Sequence, residues 1–108
     1  MKRLIVRPAA AADIANTFAW YQHERPGLGS TFLQAVRSTL GRILRRPAAY
    51  PVLPRGLRRA LMGRPFPYAV YFRVHDDVIS IEGCLHAKRD PRRWQVREPI
   101  SSGYQLSF

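Results

Sequence analysis

Tyr68-Ala-Val-Tyr-Phe-Arg-Val74, then His75-Asp76-Asp77, then Val78-Ile-Ser-Ile-Glu-Gly-Cys-Leu-His-Ala87 reads as two strands joined by a tight turn. The runs are rich in β-branched and aromatic residues, which suit a pleated, half-buried surface. Strict alternation places Ile79, Ile81 and Leu85 on one face, and Ser80, Glu82, Cys84 and His86 on the other. In the preceding strand Val70, Phe72 and Val74 share a face opposite Tyr71 and Arg73. The expected sheet therefore has one apolar face and one more polar, open face.

Upstream, Leu57 to Met62 reads as a strand with Arg58 and Arg59 on opposite faces, after a connector from Pro47 to Gly56 that carries three prolines. Before it come two amphipathic helices. Pro8 suits the first turn of one running to about Glu24, with Ala11, Ile14, Phe18 and Tyr21 at helical spacing. Pro26-Gly27 breaks it, and a second runs from Leu28 to Arg46 with Phe32, Val36, Leu40, Ile43 and Leu44 inward. So short a break predicts an antiparallel helical hairpin. Leu4-Ile5-Val6 is a further short strand. The expected fold is α+β in the order β-α-α-β-β-β, a helical hairpin on one face of a small, mainly antiparallel sheet.

The chain has 108 residues and a formal charge of +11, from 18 Lys and Arg against 7 Asp and Glu. One domain over 1–97, followed by a loosely held tail over 98–108, fits that length. The charge favours nucleic acid, an acidic protein segment or an anionic membrane as partner. No run approaches the roughly 18 apolar residues of a membrane span, and the three-residue apolar run near the start is too short for a signal peptide, so a cytoplasmic protein with no membrane partner is expected. Cys84 is the single cysteine and reads as a small core residue. His23 and His75 lack ligand partners at suitable spacing, so neither metal nor cofactor is expected.

At the exit of the last strand stand His86, Lys88, Arg89, Arg92, Arg93 and Arg97, with Trp94 among them as an aromatic anchor. Asp90-Pro91 reads as a turn or the start of a short helix.

Several local motifs, in order over roughly residues 4 to 97, resemble the ParE/RelE superfamily of toxins from type II toxin–antitoxin systems. They are Pro8-Ala9-Ala10 with Asp13, Trp20-Tyr21, Leu28-Gly29 with Phe32-Leu33 and Val36, and Arg58-Arg59. Phe66-Pro67-Tyr68 with Val70-Tyr71-Phe72, Val78-Ile79 through His86, Arg89-Asp90-Pro91 and Trp94 complete the set. The resemblance implies one of two actions. ParE-like members inhibit DNA gyrase and do no chemistry themselves; RelE-like members cleave mRNA on the ribosome.

The ribonuclease branch generally places an arginine near the start of the central strand, where this chain has Phe66-Pro67-Tyr68-Ala69. That departure, with the Arg-Asp-Pro after His86, points to the ParE branch and to no catalytic residue. Were the chain a ribonuclease, His86, Arg59, Arg64, Lys88, Arg89 and Tyr104 would be its candidates. In the gyrase reading Lys88, Arg89, Arg92, Arg93 and Arg97 bind the target. The resemblance also implies an antitoxin with a DNA-binding N-terminal half and an acidic C-terminal segment, for which Arg37, Arg45, Arg58 and Arg73 are carboxylate partners. A nucleic-acid-binding module without toxicity is the reading from another class. It explains the charge and leaves the Phe66-Pro67-Tyr68 and Arg89-to-Trp94 motifs unexplained.

Overall fold

A computed structural model describes residues 2–88 and 106–107. Strand β1 (Arg3–Val6) leads into helices α1 (Pro8–Glu24) and α2 (Leu28–Arg45), followed by β2 (Arg58–Leu61), β3 (Tyr68–His75), β4 (Val78–His86) and the two-residue β5 (Leu106–Ser107). The expected β-α-α-β-β-β order is the observed one. In the sheet the strands lie in the order β2-β3-β4-β1-β5, antiparallel except for the parallel pair β1 and β4. The expected tail falls mostly outside the described residues, but its Leu106 and Ser107 pair with Val6 and Ile5.

Local chemistry sets the helical hairpin. Pro8 opens α1, where its missing N–H leaves nothing unpaired. Gly27 takes φ +92 between the helices, a backbone state that costs a glycine little. The Gln22 side-chain oxygen then accepts the N–H groups of Gly27 at 3.2 Å and Gly29 at 3.1 Å, satisfying donors at the start of α2. A methyl group on Gly29 would lie 2.8 Å from the Phe18 ring, so the helices cross closely there.

Between the hairpin and the sheet, Phe32, Val36, Leu40 and Ile43 meet Val6, Val70, Phe72 and Ile81 in one buried layer. At one end Tyr21, Phe32, Phe66 and Tyr68 form a ring cluster with centroids 5.1–6.2 Å apart. Leu44, expected inward, is 41% exposed. Thr39 takes the inner position instead, its hydroxyl donating to the Ala35 carbonyl at 2.8 Å and accepting from Arg42 at 3.1 Å.

One irregularity corrects the alternation read from the sequence. Tyr71 pairs with Gly83 and Phe72 with Ile81, so Glu82 is an extra residue in β4, a β-bulge. Beyond it every side chain changes face. Cys84 therefore joins the layer under the helices, and Leu85 leaves it. The opposite face is not open either. Leu85, Ala69, Tyr71 and Leu57 form a second buried cluster there, with Leu53 of the connector packed against it.

The connector wraps the edge strand β2. Val52 bridges to Arg58, the Arg58 guanidinium donates to the Tyr50 carbonyl at 2.7 Å, and Arg73 donates to the Arg55 carbonyl. Tyr50 sets its ring edge-on to Phe72 at 5.8 Å.

Candidate functional site

The bulge decides where His86 stands. Opposite Tyr68 in the register and in phase with Cys84, it faces the helical layer. Its ring lies edge-on to Tyr68 at 5.6 Å, and its Nδ1 accepts the Lys88 backbone N–H at 3.2 Å. That bond places the ring proton of the neutral histidine on Nε2.

His86 and Tyr68 form one wall of a cleft of about 220 Å³; Asp13, Asn16 and Thr17 of α1 form the other, with Cys84 between them. Asp13 Oδ2 accepts the Cys84 backbone N–H at 3.0 Å, joining the helix to β4 just beyond the bulge. Burial, with the Asp13 carboxylate acting in the same direction, pushes the Cys84 thiol up to about 12. Its sulfur sits 4.0 Å from that of Met62. A thiol so reluctant to ionise is no nucleophile. Burial, then Tyr68, also raises the Tyr21 hydroxyl above its usual range. Asp13, Asn16, Thr17 and Trp20 follow the i, i+3, i+4, i+7 spacing of one helix face. Trp20 continues that face past the cleft, 55% exposed, its ring edge-on to Tyr21 at 5.0 Å. That spacing was available in the sequence as the signal of a polar stripe ending in an aromatic.

Of the ribonuclease candidates, His86, Arg59, Arg64 and Lys88 fall among the described residues, and Arg59 and His86 stand on opposite faces of the sheet. Arg59 is paired with Tyr71 in the register and shares its outer face, while His86 faces the helices. Arg64 is exposed beside a mostly apolar cleft of about 260 Å³ that includes Leu61, Pro65, Phe66 and Ala87. Lys88 is exposed. Arg89, Tyr104, Arg92, Arg93 and Arg97 lie outside the described residues, as do Asp90-Pro91 and Trp94. Of the arginines suited to a carboxylate partner, Arg37 and Arg45 are exposed on α2, whereas Arg58 and Arg73 each hold a connector carbonyl. His23 and His75 are exposed, and no group of three metal-ligating side chains occurs among the described residues. No helix of the described residues is long and apolar enough to cross a membrane.

These elements define a two-layer α+β fold with a helical hairpin on a five-stranded sheet. It is similar to a chain of the solved chromosomal ParDE TA system from P. aeruginosa, with a TM-score of 0.59 and 22% sequence identity, covering 80% of this chain and 96% of that one. No family model and no curated protein matches the sequence.

Proposed function

We propose that the chain is the toxin of a type II toxin–antitoxin module, acting in the bacterial cytoplasm by inhibiting DNA gyrase and neutralised by a cognate antitoxin. The fold shared with a chain of a ParDE system supports the toxin reading, as does the order of motifs from Pro8 to Trp94. The observation that favours gyrase over ribosomal mRNA is the separation of Arg59 from His86 across the sheet. RNA cleavage needs a general base, a general acid and cations converging on one phosphate. The bulge at Glu82 turns His86 away from the face that carries Arg59. The basic exit segment, with Lys88, Arg89, Arg92, Arg93 and Arg97, is the surface that binds the target. The antitoxin's acidic segment meets Arg37 and Arg45 on α2, with Arg58 and Arg73 as further guanidinium groups suited to its carboxylates.

The test is a supercoiling assay with purified gyrase beside a toeprinting assay on ribosome-bound mRNA. Loss of supercoiling with accumulation of cleaved DNA, and intact mRNA, is the expected result. Codon-specific cleavage in the ribosomal A site, with gyrase unaffected, would establish the mRNA interferase instead. Normal activity of both targets, at concentrations that bind nucleic acid, would favour the plain nucleic-acid-binding module.

A further inference from the structure

From the outer face of α1, we propose that this chain binds a second copy of itself, the two α1 helices lying antiparallel and crossing at Asn16. Three observations converge on that occupant. The first is an anchor left without cover. Trp20 is 55% exposed, yet its ring is backed edge-on at 5.0 Å by Tyr21, which packs against the buried Phe32 and Phe66. A large aromatic already held in place loses little freedom when a partner closes over it, and such residues anchor protein interfaces. Ala12, Ala15, Asn16 and Ala19 are exposed on the same side of the helix, while Ala10 and Ile14 are buried on the other.

The second observation is charge. The chain carries 18 Lys and Arg and a formal +11, but none of those cations falls in α1. Copies meeting through α2 would oppose the exposed Arg37 and Arg45, and copies meeting at the β4 exit would oppose Arg64 and Lys88. Repulsion of that kind keeps a highly charged protein monomeric, and the α1 face carries no such penalty. The third is the polarity of the helix ends. α1 starts after Arg7 with no side-chain cap and no acidic residue in its first turn, and it ends at the exposed Glu24. An antiparallel pair brings the Glu24 carboxylate of each copy to the partly positive first turn of the other. It also lays each Trp20 over the other copy's Ala12, whose short side chain leaves room for the ring. At the crossing the two Asn16 amides, each both donor and acceptor, pair and fix the register.

A contact of one helix per copy lies at the low end of specific interfaces, below about 1,200 Å² in total, so dissociation in the micromolar range is expected. The test uses the full chain alone, with neither gyrase nor an antitoxin, so its failure would leave the toxin reading untouched. At about 0.15 M salt, the protein is sedimented at concentrations from about 1 to about 300 µM. The expected result is a reversible shift from monomer to dimer. Trp20→Ala and Ala15→Glu, both at exposed positions, are each expected to weaken the dimer about tenfold or more, with an unchanged urea midpoint showing that the fold is kept. Leu44→Ala, at an exposed apolar residue of α2, is the control for general stickiness and should leave the dimer intact. For the register, Asn16→Cys in the Cys84→Ala background is expected to form a disulfide between copies on mild oxidation, and Ser38→Cys on α2 is expected to form none. A chain that is monomeric throughout overturns the proposal and leaves the α1 face to a different protein. Dimers that survive Trp20→Ala or Ala15→Glu, that are lost in Leu44→Ala, or that crosslink through Ser38→Cys and not through Asn16→Cys overturn it in favour of another contact.

Discussion

The carboxylate of Asp13 on α1 accepts the backbone N–H of Cys84 on β4 at 3.0 Å, across 71 residues of sequence. The bond falls two residues past the β-bulge at Glu82, where the change of face turns Cys84 towards the helix. A backbone donor with no strand partner at such a site must find a side chain or water, and the helix supplies it.

Asp13→Ala should therefore cost about 1–3 kcal/mol, the range for leaving a partly buried donor unsatisfied. Asp13→Asn, which keeps an acceptor oxygen, should recover part of that loss. Urea denaturation of the three proteins measures both, and an unchanged midpoint in Asp13→Ala would show the bond to be dispensable.

The buried thiol makes stability fall at high pH. Between about 9, its ordinary value, and about 12, the unfolded chain releases the Cys84 proton while the folded chain keeps it. The folded state binds more protons in that window, so unfolding becomes easier with rising pH, by up to ~1.4 kcal/mol per unit. Below about 9 the group contributes no slope. Tyr21, also raised, acts with the same sign, so the comparison of wild type with Cys84→Ala isolates the thiol. Parallel stability–pH curves for the two would contradict this account. Alkylation of Cys84 at neutral pH should likewise be slow in the native protein and fast in denaturant.

Phe72 is fully buried beneath the helical hairpin, edge-on to Tyr50. Truncation to alanine should cost about 3–5 kcal/mol, a large share of a small domain's stability. Leu85→Ala should also destabilise, but through the second cluster on the opposite face. The two sites share no cluster, so their effects should add in the double variant. Thermal or chemical denaturation that shows strong non-additivity would mean the two layers are coupled.

Charge reversal at Arg92 and Arg93 together should reduce growth inhibition at equal expression while leaving antitoxin binding intact, if the basic exit segment carries target recognition. A fully toxic double variant would assign those cations to solubility alone. Growth curves with pull-down of the antitoxin give the answer.

Much of the architecture was legible because periodicity reports it directly. The hairpin of β3 and β4, the break at Pro26-Gly27 and the inner stripe of Phe32, Val36, Leu40 and Ile43 follow from spacing and turn chemistry. What could not be read was the single residue that shifts phase. Glu82 alternates correctly with its neighbours in the sequence, and only the register with β3 reveals it as supernumerary. That one residue displaced Leu85, Cys84 and His86, and with them the expected open face and the grouping of His86 with Arg59. Leu44 failed for a different reason: it lies at the margin of the α2 stripe, and Thr39 fills the inner position by satisfying its own hydroxyl. The fourfold spacing of Asp13, Thr17 and Tyr21 on α1 mixes polar and apolar groups, so the cleft beside it did not stand out.

The connector that crosses β2 bears on how the protein behaves when concentrated. An edge strand invites another chain to add to it. Here Val52 occupies the first part of that edge, and the Arg59 N–H is directed to the Pro51 carbonyl at 3.4 Å. At the far end the Arg42 guanidinium donates to the Leu61 carbonyl at 3.5 Å, setting a cation beside an otherwise apolar tip. Templated growth from this side must displace the first and desolvate the second. The fold thus carries its own resistance to sheet-to-sheet polymerisation, through the long proline-bearing link that would otherwise pass for mere spacer.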